Sequence, residues 1–260
     1  GEYFRTGTMP GASTTARSTT VPLACTPNYT ILSTDGYWNG SASASVGNTD
    51  QTVPTLPANV YRDADTGAAI NDPIAGVPLV AGERFPAPFY GGSNTSNTLA
   101  DVAMKYWISD LTAPTSSAGK VASNPSDPAT WQHMVTFTIG LGASGTVSTP
   151  PTGTNAWPTP QADSATAIDD LWHAALNGHG QYFNAKDPAK LQTALGSILN
   201  NIVNRTGAAA SVAVSNPNVQ SGDNTAFASS FNSGTWYGDL EAFAIVINTG
   251  GLANTSPWLA

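Results

Sequence analysis

Three times in succession a short β-branched or aromatic run gives way to a stretch of helical period, and this alternation limits the fold more than any other feature of the chain. Tyr29-Thr30-Ile31-Leu32-Ser33-Thr34 reads as a short buried strand closed by the turn signal Asp35-Gly36. Leu99, Val102, Ala103, Tyr106 and Trp107 then recur at helical spacing, with Thr98 and Asp101 forming a capping box and Pro114 stopping the helix. Met134–Ile139 reads as a second strand ending at Gly140. Ser164 is expected to cap a helix whose apolar face is Ile168, Leu171, Trp172 and Ala175, and Gly178 to end it. Gln181–Asn184 is a third strand. Asp187-Pro188 starts a last helix carrying Leu191, Leu195, Ile198, Ile202 and Val203. Strand alternating with helix implies a parallel sheet with helices packed on its faces.

The rest of the chain does not share that rhythm. Residues 1–20 read as a Thr/Ser/Gly-rich loop after a helical stub. Residues 36–96 are rich in Gly, Pro, Asn and Ser without a sustained period, which reads as a long insertion carrying surface function. From about Ala208 the helices cease, and Val212–Val214, Ala226–Phe231 and Ala242–Ile247 read as strands between Gly/Asn/Ser turns. The organisation is thus an α/β domain over 1–207 and a β-strand segment over 208–260. Gly1-Glu2-Tyr3-Phe4-Arg5 has neither an initiator Met nor the pattern of a signal peptide, and the chain reads as an internal piece of a longer polypeptide.

Composition excludes some classes of function. Only 10% of residues are charged, and 17 Asp+Glu against 9 Lys+Arg give a net charge of -8, so the basic stripe needed to track phosphates is missing and no nucleic acid is expected. No apolar run reaches the roughly 20 residues that span a bilayer, so no transmembrane segment is expected. A neutral polar surface with few lysines suits an extracellular protein.

Ligands in open α/β sheets sit outside the carboxyl ends of the strands, which is where Asp35 falls, and a carboxylate there suits a hard cation such as Mg or Ca. The competing reading is a plain Asp-Gly turn. Asp169, Asp170 and His173 share one helical turn, and their expected role is structural, as acidic groups near a helix start. His133, flanking a strand, reads as a satisfied polar residue, and His179 lies in a Gly-His-Gly turn. Asp63-Ala-Asp65-Thr-Gly67 has two ligand positions of a calcium loop and then departs from it, so a solvated turn is expected. No Gly-x-Ser-x-Gly elbow, phosphate-binding loop or His-Glu-x-x-His is present. The five Asn-x-Ser/Thr sites at Asn28, Asn39, Asn94, Asn204 and Asn254 are what so Asn/Thr-rich a chain produces by chance.

Four longer words are more specific. Cys25-Thr-Pro-Asn-Tyr-Thr-Ile-Leu-Ser-Thr-Asp35-Gly-Tyr-Trp-Asn-Gly40 resembles a signature of the type IV pilus tip-associated adhesin family (PilY/PilC). Asn97-Thr-Leu-Ala-Asp-Val-Ala-Met-Lys-Tyr-Trp107, Trp131-Gln-His-Met-Val-Thr-Phe-Thr-Ile-Gly-Leu-Gly142, and Ile168-Asp-Asp-Leu-Trp-His-Ala-Ala-Leu-Asn-Gly178 with Gln181-Tyr-Phe183 follow in the same order. The resemblance implies a partial von Willebrand A-like doubly wound parallel sheet with a long insertion. Phe227–Phe231 and Thr235-Trp236-Tyr-Gly-Asp-Leu240 resemble the passage into that family's β-propeller, whose calcium loop would lie elsewhere in a full-length protein.

By the same resemblance Asp35 is one ligand of a metal-ion-dependent adhesion site whose Asp-x-Ser-x-Ser loop and Thr are expected upstream. Alone, this chain should bind metal weakly or not at all. Cys25 is the one cysteine; it is expected to pair with an upstream segment or another chain, or to stay a buried thiol. The implied function is non-enzymatic: adhesion and pilus assembly at the pilus tip or outer cell surface, with minor pilins or tip proteins and a host or abiotic surface as partners. The insertion's Tyr37, Trp38, Tyr61, Phe85, Phe89 and Tyr90 are either interface anchors or tacks holding the loop to its own domain. A structural subunit of an extracellular filament is the alternative. A quinone-dependent enzyme, suggested by the propeller-like tail alone, needs cofactor ligands that are not apparent.

Overall fold

In the computed structural model the described residues are 27–39, 45–57, 69–111, 121, 123–206 and three later strands. The chain divides into two units, Gly1–Ile198 and Leu199–Ala260. Cys25, Tyr61, Pro114, Asn254, the 1–20 segment and Asp63–Gly67 lie outside the described residues.

The first unit contains β1 (Asn28–Thr34), α1 (Leu99–Ile108), β2 (Met134–Leu141), α2 (Thr166–Asn177) and β3 (His179–Ala185). The strands are parallel in the order β1-β2-β3, the α/β arrangement of a partial von Willebrand A-like domain. In β2 side chains alternate between two covered faces. Thr138 Oγ1 donates to the Leu171 carbonyl of α2 at 2.9 Å, so Thr136 and Thr138 face the helices. Val135, Phe137 and Ile139 lie on the opposite face and are also buried. The helices meet through small residues, Ala100 and Ala103 of α1 against Ala174 of α2.

Local signals account for several boundaries. The capping box at α1 is real: Thr98 Oγ1 accepts the Asp101 N–H and Asp101 Oδ2 accepts the Thr98 N–H, each at 3.0 Å. Helix α3 (Pro188–Thr206) starts as expected, the Lys190 N–H donating to Asp187 Oδ1 at 2.9 Å. Gly178 closes α2 with φ near -91°, and the left-handed residue is His179 at φ 52°. The glycine is required for another reason: a Cβ on Gly178 would sit 2.5 Å from Thr136 Cβ, and one on Gly180 would strike the Thr136 carbonyl oxygen.

Other expectations are corrected. β1 is half-exposed rather than buried, with Ile31 44% exposed, because it pairs only with β2 among the described strands. α1 ends at Ser109, before Pro114, because the chain turns into extended backbone and the Leu111 N–H pairs with the Gln132 carbonyl at 2.7 Å. The cap of α2 is Ala165, without a side-chain bond; Ser164 Oγ accepts from the N–H and the hydroxyl of Thr166, at 3.4 and 3.3 Å. On α3 the buried line is Ala194 and Ile198, and Leu195 is exposed.

The largest correction concerns the insertion, which forms core. Val53, Leu79, Phe85 and Phe89 are buried with Met104 and Trp107 of α1 and with Ala129 and Trp131 ahead of β2. Main-chain bonds brace it: the Val53 N–H donates to Glu83 O at 2.8 Å and the Gly82 N–H to Val53 O at 2.9 Å. Its first turn is sewn to α1, as Asn97 Oδ1 accepts the Val46 and Gly47 N–H groups and Asp101 Oδ1 accepts the Thr49 N–H at 2.7 Å. The aromatics therefore sort themselves: Phe85 and Phe89 are tacks and Tyr37 is exposed.

The second unit holds an antiparallel sheet in the order β4 (Ala209–Val214), β5 (Thr225–Asn232), β6 (Tyr237–Ala244). The last strand begins earlier than the expected Ala242. No helix among the described residues is long and apolar enough to cross a membrane.

Candidate functional site

The carboxyl edge of the parallel sheet is the first candidate. The register places Thr34, Gly140 and Asn184 side by side, with Asp35 one residue beyond β1. Thr34 Oγ1 donates to Gly36 O at 2.8 Å, which shapes the turn and leaves the Asp35 carboxylate exposed. The Trp38 carbonyl accepts the Asp163 N–H at 2.9 Å, tying the turn to the loop before α2. Asn184 Nδ2 donates to Ala143 O at 3.0 Å, while its Oδ1 is buried without a partner. Burial raises the Tyr182 phenol beside it above its ordinary pKa.

A hard cation takes about 6 to 8 oxygen ligands. At this edge the Asp35 carboxylate is exposed and one amide oxygen, Asn184 Oδ1, is unpaired, and no group of three His, Cys, Asp or Glu that could hold a metal occurs among the described residues. The residues here do not by themselves fit a bound cation.

Asp169, Asp170 and His173 share a turn of α2 but diverge. Asp169 accepts the N–H groups of Thr146 and Val147 and the Thr146 hydroxyl, fastening the loop after β2. Asp170 accepts the Leu99 and Ala100 N–H groups at 3.0 and 3.1 Å, so it caps α1 from the neighbouring helix rather than complementing its own. Burial pushes its carboxyl up to about 6 even against those two N–H bonds. His173 Nε2 donates to Phe89 O at 2.6 Å, and its ring stacks on Trp157 at 4.8 Å. The expected structural role holds, though for a different physical reason.

All three histidines of the chain prove to be buried, each facing an aspartate carried by a loop. His133 Nε2 lies 2.9 Å from Asp127 Oδ2 and its Nδ1 lies 2.7 Å from Trp131 O, a satisfied residue as expected. His179 is not a turn residue; it opens β3 fully buried, with Nε2 2.8 Å from Asp72 Oδ2 and its ring stacked 3.8 Å from Trp107 and 5.3 Å from Phe89. His173 Nε2 approaches Asp50 Oδ2 at 3.5 Å. Burial lowers that imidazole to about 3, and burial followed by the charge of Asp101 raises Asp50 to about 8. Both shifts disfavour the charged forms, so the 3.5 Å approach does not act as a buried ion pair. Asp50 and Asp72 gave no sequence signal, since their histidine partners lie in distant segments, and Asp127, six residues before His133, sits in a stretch without a readable period.

Comparison with known proteins supplies what geometry alone does not. Across 100% of its length the chain is 31% identical to the type IV pilus biogenesis factor PilY1 of Pseudomonas aeruginosa strain PAK, and it covers 23% of that protein. PilY1 of strain UCBPP-PA14 is 32% identical over 91% of the chain, which covers 22% of it. The chain thus spans less than a quarter of the length of these relatives. No family model matches it, and no solved structure matches significantly. Along its whole length the chain is PilY1-like, the family to which its four sequence words point.

Proposed function

We propose that this chain is a non-enzymatic module of a type IV pilus biogenesis factor that acts in adhesion and pilus assembly at the pilus tip. The observation that carries the reading is the match over the full chain to proteins named as type IV pilus biogenesis factors. Minor pilins or tip proteins are its proposed partners on the assembly side, and a host or abiotic surface on the adhesion side.

The fold redirects where recognition would occur. With Phe85 and Phe89 in the core, the insertion is a wall of the domain rather than a free binding loop. The exposed groups at the strand ends, Asp35 and the 43% exposed Tyr37, are the contact residues of this reading. A metal at Asp35 would require ligands from outside the described residues.

The test uses the full-length protein in cells that lack it, scoring piliation and surface attachment separately. Removal of this module should abolish both. Tyr37→Ser and Asp35→Ala should leave pili present and reduce attachment. Normal pili and attachment without the module would refute the function, and normal attachment in both point variants would refute the contact surface.

A further inference from the structure

Asp50 belongs to the insertion and lies 1% exposed between the two helices. Gly91 contributes a main-chain hydrogen bond to it, and Asn177 of α2 donates from Nδ2 to its Oδ2 at 3.1 Å. Two oxygens in this contact, Asp50 Oδ1 and Asn177 Oδ1, are buried and have no hydrogen-bond partner. Both are acceptors unless a proton is added. A buried acceptor left unpaired costs about 1 to 3 kcal/mol, so a pair of them needs a donor.

The surroundings narrow what that donor can be. Titratable groups face Asp50 from α1 (Asp101) and from α2 (Asp170 and His173). Asp101 and Asp170 are already spent on N–H and hydroxyl donors of Thr49, Thr98, Leu99 and Ala100. The Nε2–H of His173 goes to Phe89 O. No lysine or arginine of the described residues pairs with any of the three carboxylates. Three negative charges would share this space without a counter-charge, and a single proton on Asp50 relieves both the repulsion and the orphaned acceptors.

We propose that Asp50 is a proton-operated latch: as a neutral acid it completes a reciprocal hydrogen-bonded pair with the Asn177 amide and fastens the insertion to α2, and loss of that proton loosens the junction. A bound cation is the rival occupant, and it requires an ionised Asp50. The two predict opposite pH behaviour. The unfolded chain releases the Asp50 proton near its ordinary value of 3.8, while burial lets the fold keep it to about 8. Between those values the folded state carries the extra proton, so raising the pH favours unfolding.

The experiment is urea unfolding of the full chain and of Asp50→Asn, whose amide supplies a donor at every pH. The ratio of the wild-type to the Asp50→Asn unfolding constant should rise about tenfold per pH unit from about pH 5 to about pH 8 and then level off. A ratio independent of pH overturns the latch. So does wild-type stabilisation by millimolar calcium that Asp50→Asn lacks. Carboxyl carbon NMR of the folded wild type gives a second readout that needs no variant: the Asp50 resonance should titrate near pH 8, and a midpoint in the ordinary carboxylate range overturns the proposal.

Discussion

Phe89→Ala tests whether the insertion is core or appendage. Phe89 has 0% exposure, meets Phe85 edge-on at 6.2 Å, stacks on His179 at 5.3 Å, and presents the carbonyl that accepts from His173. Truncating a fully buried Phe costs about 3 to 5 kcal/mol, because transfer free energy is lost and a cavity remains. The aromatic contacts here add about 0.5 to 1.5 kcal/mol each beyond their area, which argues for the upper part of that range. For a unit of this size 1 kcal/mol moves Tm by about 2 to 4 °C, so the midpoint should fall by about 10 to 15 °C in one cooperative transition. Tyr37→Ala, at a 43% exposed aromatic, should change stability by no more than about 0.5 kcal/mol. Differential scanning calorimetry reads both. If Phe89→Ala melts within about 2 °C of the parent, or a small early transition appears while the main one stays put, the insertion is an independent appendage and the packing argument fails.

Gly180→Ala should destabilise by at least about 2 kcal/mol in urea, because its Cβ meets the Thr136 carbonyl of the neighbouring strand, an atom that cannot move aside. His173 is held neutral by burial down to about 3 while the unfolded imidazole protonates near 6.5, so its contribution is intact above pH 6.5 and is lost as the pH falls. The stability difference between wild type and His173→Gln should therefore shrink by about 1.4 kcal/mol per pH unit below that point. Calorimetric titration of the chain with Mg or Ca should give no saturable binding at Asp35, and Asp35→Ala should leave Tm unchanged; tight stoichiometric binding abolished by Asp35→Ala would show a complete site where the described residues hold no group of three possible ligands.

What could be read from the sequence was what local rules govern. Thr98 and Asp101, or Asp187 and Pro188, act within a single turn, so their spacing alone determined helix starts that the fold adopts. The runs at 29–34 and 134–139 announced strands because strand period and composition are also local. Burial was harder. Phe85, Phe89, Val53 and Leu79 carry no period because they hang from irregular backbone, and their inward direction is imposed by pairing between residues some thirty positions apart. Pro114 misled because a nearer event, Leu111 pairing with Gln132, had already turned the chain.

The acidity of the chain also changes meaning once the fold is known. A net charge of -8 suggests a negative surface, yet among the described residues Asp50, Asp72, Asp101, Asp127, Asp169 and Asp170 are buried. Asp72, Asp101, Asp169 and Asp170 accept main-chain N–H groups, including those of the 49 and 74–75 turns and of the first turn of α1. An irregular loop that is to be buried must satisfy amides that no ladder or helix reaches, and a carboxylate with two oxygens and about four lone-pair sites does this more completely than any neutral side chain. A long insertion without regular structure can then serve as core wall, provided enough aspartates line its seams. Asp50 marks the limit: with Asp101 and Asp170 holding the N–H groups of Thr49, Thr98, Leu99 and Ala100, a third carboxylate at the same junction receives one main-chain N–H, from Gly91, and keeps its place by keeping its proton.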